Sequence, residues 1–386
     1  MKMKIFERKR KNESSEVSVV GVPQLYDNRF SCYGTKSGGA AQNRLYGELR
    51  RNVPVIDGAI CKIVRLTGGF NVVCNDSSAQ KMLDDFLLNV NVGGNQTGIG
   101  AFADLYLDNL LTFGTAVGEM VLGADNRSFS LYNAPLENID FRRNEKNPMQ
   151  IQMFVSSKGE SVPVKNHNRV LMSVLDPDAG EIFGNSILKG LPFVSAILLQ
   201  IFESIGTNWE RVGNLRYSVT YKPQNDALDK AYAKERAMQI AKGWSDAMKS
   251  GGDVKDFIAV GDVDIKVIGA DNQMLDSEIP VRQLMEQIVA KTGLPPFMLG
   301  LNWSTSERMA QQQTDVLTSE LWHYRRILTP VIMKIAGMFL RMNGFAPDCR
   351  VEWDEISLLD ETEQAKAFYY RAQGEKYLAE ADALKE

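Results

Sequence analysis

The apolar positions in the first half of the chain repeat with two different periods. Alternating apolar runs predict short strands, and apolar residues at three- and four-residue steps predict helices between them. The predicted strands cover Gly69–Val73, Thr115–Leu122, Ser128–Tyr132, Ile151–Val155 and Val170–Val174, and the predicted helices cover a segment after Val53, Ala79–Leu88 and Ala101–Leu111. This half is therefore predicted to be α+β.

The second half is dominated by three long helical patterns. Ser186–Val212 is apolar at helical spacing, and Pro192 predicts either a kink or a true start a few residues later. Ser277–Thr292 follows, and a third helix is predicted from about Ser306 to Met342. Pro330 inside this helix predicts a kink near residues 326–329. Ser304 and Ser306 are its two candidate caps.

A small α/β module separates the first two long helices. It comprises predicted strands at Leu215–Tyr221, Phe257–Val260 and Val263–Ile268 and a charged helix over Asp226–Met248. A strand at Arg350–Trp353 and a polar helix over Glu361–Leu384 complete the chain. Long helices that flank a small module would bury their apolar faces against neighbouring copies, which favours a ring oligomer.

Composition restricts the classes of function. The 386 residues are 44% hydrophobic and 24% charged, which is typical of an ordered protein with more than one domain or an elongated shape. The net charge of −4 gives no sign of tight nucleic-acid binding. Cys32, Cys61, Cys74 and Cys349 are far apart in sequence and are expected to be free thiols in a reducing compartment.

The sequence shows no predicted membrane segment. The N-terminus is basic and lacks the apolar stretch of a secretory signal. Gln200 and Glu203 interrupt the most apolar segment, Leu191–Ile205, so that it is expected to fall short of the roughly 18 residues of a membrane span. We therefore expect a soluble protein that is made in the cytoplasm and contacts no membrane.

No enzymatic motif is present. The chain has no Walker A run, no G-x-S-x-G elbow and no H-E-x-x-H helix, and its only histidines are His167 and His323. Asp104 and Asp108 lie one helical turn apart, a spacing compatible with a metal site, although a solvated helix face is favoured. We expect no catalytic residue, no metal and no cofactor.

Four segments carry a resemblance to a known family. The first is Leu110–Ala116, and the second is Asn168–Leu171 followed by Phe183–Leu188, which resembles "G-x-S-P-L" but has Ile187 in place of the proline. The third is Thr292–Gly300, which is similar to "F-G-V-P-P-x-x-L-G". The fourth is Ser304-Thr305 with Met309–Gln312, which opens a long helix that continues into Leu328-Thr329-Pro330. In this order and spacing they resemble the HK97-like portal proteins of tailed bacteriophages, from about residue 45 to 356.

The resemblance implies an elongated subunit with several parts. They are an N-terminal arm (1–44), an α+β wing or body (45–185), stem helices (186–213 and 277–300), a clip (214–276), a tunnel loop (301–305), a long kinked wing helix (306–344) and a short C-terminal strand with a crown-like helix (345–386). Such subunits form a ring, usually of about twelve copies, at one capsid vertex of the virion. The implied partners are double-stranded DNA without sequence preference, the terminase large subunit, head-completion or connector proteins, and capsid and scaffold proteins.

The resemblance also assigns the residues nearest to DNA. The tunnel loop would be Leu301, Asn302, Trp303, Ser304 and Thr305, which have no basic side chain and so suit a sliding contact. Trp303 either presses on the duplex or a neighbouring loop, or packs under its own loop. Candidate channel-lining charges on the stem are Lys189, Arg211, Arg282 and Lys291. They are interspersed with Glu203, Glu210, Glu278 and Glu286, which favours salt bridges between subunits and a mixed-charge channel.

Two other classes of function remain as alternatives. Another ring-forming component of a phage tail or baseplate would share the long helices but not the module between them. A metal-dependent nuclease would need clustered acids or histidines, which the sequence lacks.

Overall fold

A computed structural model describes residues 39–123, 128–144, 147, 150–157, 160–164, 166–213, 216–221, 232–242, 263–268, 277–301, 306–356 and 368–377. All of these residues belong to one unit of the chain, Ser37–Glu386.

The body of this unit alternates helices and strands. Its helices are α1 (Ala40–Asn52), α2 (Pro54–Thr67), α3 (Ser77–Asn89) and α4 (Ile99–Phe113). Its strands are β1 (Phe70–Cys74), β2 (Asn91–Val92), β3 (Gln96–Thr97), β4 (Thr115–Leu122), β5 (Phe129–Asn133), β6 (Ile139–Arg143), β7 (Ile151–Ser157), β8 (Glu160–Pro163) and β9 (Val170–Val174).

The remainder is mainly helical. It comprises α5 (Leu191–Gly213), β10 (Arg216–Tyr221), α6 (232–242), β11 (Val263–Ile268), α7 (Glu278–Thr292), α8 (Glu307–Met342), β12 (Cys349–Trp353) and α9 (368–377). Strands β10 and β11 pair antiparallel, and so do β1 and β12.

A five-stranded sheet of order β3-β2-β5-β4-β9 lies against α4. Phe102 of α4 packs beneath Gly118, where a Cβ would come within 2.7 Å of its ring. The hydroxyl of Tyr106, on the same helix, donates to the carbonyl of Ala116 at 3.2 Å. A second sheet, β6-β7-β8, has its own small core with Phe141 and Met153.

Helix α8 runs through the main core and, at 1.5 Å per residue, is about 54 Å long. Leu321, Ile335 and Leu340 are completely buried on it. Its cap is Ser306, whose hydroxyl accepts from the N–H of Met309 at 3.3 Å.

Two glycines set the path of the chain from the body into α5. Gly114 ends α4 with φ +75°, and its carbonyl accepts from the N–H of Leu175 at 2.8 Å. A Cβ on Gly184 would collide with the carbonyl oxygen of Gly114. The hydroxyl of Ser186 then donates to the carbonyl of Thr112 at 2.6 Å, which fixes the chain shortly before α5 begins.

The mixed helix and strand content of the body and the order of the long helices agree with the prediction, two boundaries are corrected, and four strands were missed. The expected arm (1–44) is too long, because α1 begins at Ala40. Helix α5 begins at Leu191 and not at Ser186, with Pro192 in its first turn, where its missing N–H costs nothing. Strands β2, β3, β6 and β8 were not predicted.

Other predicted elements are only partly tested. The predicted strand Phe257–Val260 lies outside the described residues. The helices over Asp226–Met248 and Glu361–Leu384 are described at 232–242 and 368–377 alone, where both are helical. Pro330 does lie inside α8, and the kink next to it stays a prediction.

Replacing Gly184 with alanine should destabilise the protein by about 2–4 kcal/mol, because the new methyl group would meet backbone atoms on two sides. Urea unfolding measures this loss. Gly100→Ala is the matched control, because Gly100 is helical and has no atom within 4 Å of an added Cβ. It should leave stability unchanged or raise it by about 0.5–1 kcal/mol. Equal changes in the free energy of unfolding for the two variants would contradict the close approach of Gly184 to the backbone of Gly114 and Leu175.

Candidate functional site

Helix α5 is apolar and largely exposed. Over Leu191–Glu210 its mean hydropathy is 1.2 and only 22% of the stretch is buried. By length and composition alone this stretch could cross a bilayer, although core helices of water-soluble proteins reach the same values. The expectation that Gln200 and Glu203 bring the segment below that threshold was therefore wrong.

The side chains of α5 differ along the helix as well as around it. Near its start, Leu191 and Leu198 are 2% exposed and belong to the main core with Ile288 of α7. Since successive residues turn by about 100°, Phe202 and Trp209 lie on the same face as Leu198 but further along the helix, and they are 47% and 62% exposed. Leu199, which is 40% exposed, lies at the edge of this face. We call Leu199, Phe202 and Trp209 the uncovered stripe. The polar sector of α5, at Gln200, Glu203 and Glu210, is exposed. An apolar surface of this kind marks an interaction site more often than a free surface.

Helix α7 packs against α5 and ends sharply. Gly293 adopts the left-handed conformation with φ +71°, and its N–H bonds to the carbonyl of Val289. Pro295 and Pro296 then prevent continuation of the helix. On the exposed side, Arg282 pairs with Glu286 at 3.1 Å, one turn further along the same helix. Both side chains are about half exposed, so the pair contributes little to stability.

The four charges predicted for the channel lie in different settings. Lys189 is not on a stem helix: it lies in the turn before α5 and bonds to Asp178 at 3.2 Å and Asn185 at 2.7 Å. Bonds from Asn185 and Lys189 lower the pKa of Asp178. Arg211 lies in the last turn of α5, and Lys291 is exposed in the last turn of α7, where its charge complements the helix dipole. Arg282 pairs within its own helix, and a channel-lining role for these residues stays a prediction.

The predicted tunnel loop is described only at its first residue. Leu301 is partly buried, and its N–H donates to the carbonyl of Pro296 at 3.1 Å. Asn302, Trp303, Ser304 and Thr305 lie outside the described residues. Beside the loop, a groove of about 420 Å³ lies between the end of α7 and the first turns of α8. Met309 and Val316 line it and are 51% and 64% exposed.

Asp104 and Asp108 do not act as one carboxylate pair. Asp108 is ion-paired with Arg50, whose NH1 donates to it at 2.5 Å, so the expectation of a solvated face was wrong for this residue. Asp104 is exposed at the surface, and partial desolvation raises its pKa. Among the described residues, no group of three or more His, Cys, Asp or Glu side chains is placed to hold a metal ion.

Arg50 forms a network that the sequence did not indicate. Its guanidinium bonds to Asp57 at 2.7 Å and also to Asp108 and Thr112, so that α1 is attached to both α2 and α4. Desolvation acts to lower the pKa of Arg50, but the bonds to Asp108 and Asp57 outweigh it, so that the pKa is raised. Arg50 and Asp108 are far apart in sequence, and no local pattern pairs them.

Arg325 on α8 is a second unpredicted feature, with only 1% of its surface exposed. Its Nε donates to the carbonyl of Thr67 at 2.8 Å and its Nη1 to the carbonyl of Asp354 at 2.7 Å. The rings of Trp322 and Trp353 lie about 5 Å from the guanidinium. Desolvation lowers the pKa of Arg325, with Asp354 acting in the opposite direction. One side chain therefore joins α8 to the end of α2 and the end of β12.

Comparison with known proteins gives a fold and no sequence family. No protein-family model and no curated protein matches the chain. A chain of the virion of a native gene transfer agent particle aligns with a TM-score of 0.59 and 14% identity, over 88% of this chain and 90% of that one. A chain from the neck of the native particle, computed with C12 symmetry, aligns with a TM-score of 0.58 and 12% identity over the same shares.

A crystal structure of an HK97 family phage portal protein from Corynebacterium diphtheriae aligns with a TM-score of 0.40 and 14% identity, over 79% of this chain and 93% of that one. The chain therefore has the fold of a component of the virion and neck of these gene transfer agent particles. This fold likeness agrees with the sequence resemblance as far as a component of a virion and its neck.

Replacing Arg325 with methionine should lower the free energy of unfolding by about 2–4 kcal/mol, because the buried carbonyl of Thr67 and the partly buried carbonyl of Asp354 lose a charged donor. Arg326→Met is the control, since Arg326 is exposed on the next position of the same helix. It should change stability by less than about 0.5 kcal/mol. Thermal or urea unfolding of the two variants measures the difference. An Arg325 variant with an unchanged free energy of unfolding would show that these contacts are not stabilising.

Proposed function

We propose that this chain is the subunit of a portal ring, through which DNA is packaged into a capsid and later ejected. The observation that carries the proposal is the fold likeness over 88% of the chain to components of a virion and a particle neck, one of them computed with C12 symmetry. The portal-like motifs at the start of α5, at the end of α7 and along α8 support it independently.

The proposed ring is a closed assembly of about twelve copies. The uncovered stripe on α5 supports this assembly, because Leu199, Phe202 and Trp209 keep 40%, 47% and 62% of their surface exposed within one chain's described residues. Burying such side chains against a neighbour removes apolar surface from water at about 25 cal/mol per Å². A head-to-tail contact of this kind, repeated around an axis, closes into a ring.

In this proposal the channel lets DNA slide and does not grip it. The described stem helices carry charges of both signs, and Arg282 is already paired with Glu286. Mixed and internally paired charges leave few strong phosphate contacts, so that no site holds the duplex in place. The ring is a conduit and docking platform, and energy for movement comes from a terminase large subunit.

The other proposed partners follow from the same role. The segment 214–276 would form the clip, which meets the terminase during packaging and head-completion or connector proteins afterwards. Capsid and scaffold proteins would surround the body. The subunit would be made in the host cytoplasm and reside at one vertex of the virion. The proposed DNA-facing loop is 301–305, with Trp303 at its centre.

Negative-stain electron microscopy of the purified chain tests the ring directly. We expect rings of about twelve subunits with an open channel and a narrow stalk in side view. Introducing a charge by Phe202→Glu should abolish the rings, because the carboxylate would be buried in the contact. Gln200→Glu adds the same charge to the polar sector of α5 and should leave rings intact. Filaments or six-fold tubes would contradict the proposal and favour a tail component.

A further inference from the structure

Two of the cysteines lie directly opposite each other. Strands β1 and β12 pair antiparallel with Cys74 facing Cys349 at the end of the ribbon. Neither cysteine is in a disulfide in this structure. Cys349 is 8% exposed, while Cys74 is partly accessible at the surface. The four cysteines are far apart in sequence, but the fold places Cys74 and Cys349 opposite each other.

The hydrogen-bond pattern of the ribbon gives the type of this pair. The N–H of Asp354 donates to the carbonyl of Gly69 at 3.0 Å, which makes these two opposed residues a hydrogen-bonded pair. The pair type alternates along an antiparallel ribbon, and Cys74 is five residues beyond Gly69, so Cys74 and Cys349 form a non-hydrogen-bonded pair. The N–H of Cys74 agrees with this, because it donates to the side chain of Gln80 at 2.7 Å.

A non-hydrogen-bonded pair has the backbone spacing that a disulfide requires. Opposed Cα atoms at such positions are about 4.5 Å apart, and disulfides span Cα separations of about 4.4–6.8 Å. The side chains of the two residues also leave the same face of the ribbon, since opposed residues share a face. The type of pair therefore suits a disulfide between Cys74 and Cys349.

We propose that Cys74 and Cys349 are an oxidisable pair that forms an intramolecular disulfide by exchange with a small-molecule disulfide such as oxidised glutathione. The more accessible Cys74 thiolate attacks one sulfur of glutathione disulfide and releases one glutathione thiol. The Cys349 thiolate then attacks the Cys74 sulfur of the mixed disulfide and releases the second glutathione. Two protein thiols are oxidised, one glutathione disulfide is reduced, and two protons pass to the released thiolates.

The surroundings of the pair favour thiols over thiolates. Burial is the main cause that raises the pKa of both sulfurs, and Asp348 adds to it for each of them. Asp76 and Asp84 act in the same direction on Cys74. Because thiolate is the attacking species, the pair should react slowly at neutral pH and faster in mildly alkaline solution.

The disulfide would fasten the segment that follows α8 to the body. Cys349 opens β12 directly after α8, and Cys74 closes β1 directly before α3. The bond would close a loop of roughly 275 residues, which restricts the unfolded chain strongly. This inference concerns the folded subunit alone and holds whether or not the chain forms a ring.

The test uses the full-length chain with Cys32→Ser and Cys61→Ser, so that only the proposed pair remains. Oxidised glutathione at pH 8 should remove both free thiols, and peptide mapping by mass spectrometry should show Cys74 joined to Cys349 within one chain. The oxidised protein should unfold with an equilibrium constant lowered by about a hundredfold relative to the reduced protein. Adding Cys349→Ser should leave only a glutathione adduct on Cys74 and no gain in stability.

Glutathione adducts on both cysteines, or links between chains, would overturn the proposal. Peptide mapping of the unaltered chain gives the same information if the serine variants fold poorly, because a Cys74–Cys349 peptide is identified by mass whatever the other two cysteines do. Failure of this test leaves the ring proposal untouched, since ring formation is measured separately.

Discussion

Gly114 and Gly184 approach each other so closely that neither has room for a side chain, and the course of the chain into α5 depends on this contact. Gly114 ends α4 in a left-handed conformation, and its carbonyl then binds the N–H of Leu175 after β9. Gly184 fits against it because it has no Cβ. The chain that leaves this contact reaches Ser186, which bonds back to α4, and only then enters α5. The body therefore sets the direction of the long helix through a contact that admits no side chain.

Helix α8 connects the other parts of the fold. Its apolar face fills the main core, and Arg325 reaches the ends of α2 and β12 from the same helix. A buried arginine normally requires a carboxylate, since an uncompensated charge is costly. Here backbone carbonyls accept its hydrogen bonds and two tryptophan rings flank it, which spreads the positive charge over several partners. There is no room for a side chain at Gly68, since a Cβ at this position would lie 2.9 Å from the guanidinium of Arg325.

Local patterns predicted much of this fold. The bounds of β4 and β9 agree with the alternation in the sequence, and the strong periodicity of α8 gave its length to within a residue. Helix α1 was missed because only Asn43, Tyr46 and Leu49 are buried on it. Features that depend on distant residues could not be predicted: the Arg50–Asp108 pair and the Cys74–Cys349 register follow from packing alone. Periodicity also gave the order of the long helices, and the motif resemblance supplied the parts that they are expected to form in a portal subunit.

The surface of α5 distinguishes between the two environments that its apolar residues permit. In a bilayer, every part of the helix not covered by protein faces lipid, and Gln200 and Glu203 would then lie in hydrocarbon at a cost of several kcal/mol. A ring provides three environments for each helix: its own packing partner α7, a neighbouring subunit, and water. The buried start of α5, the uncovered stripe that continues the same face, and the polar sector correspond to these three in turn. The stripe of Leu199, Phe202 and Trp209 is therefore better explained by a second copy of the chain than by lipid.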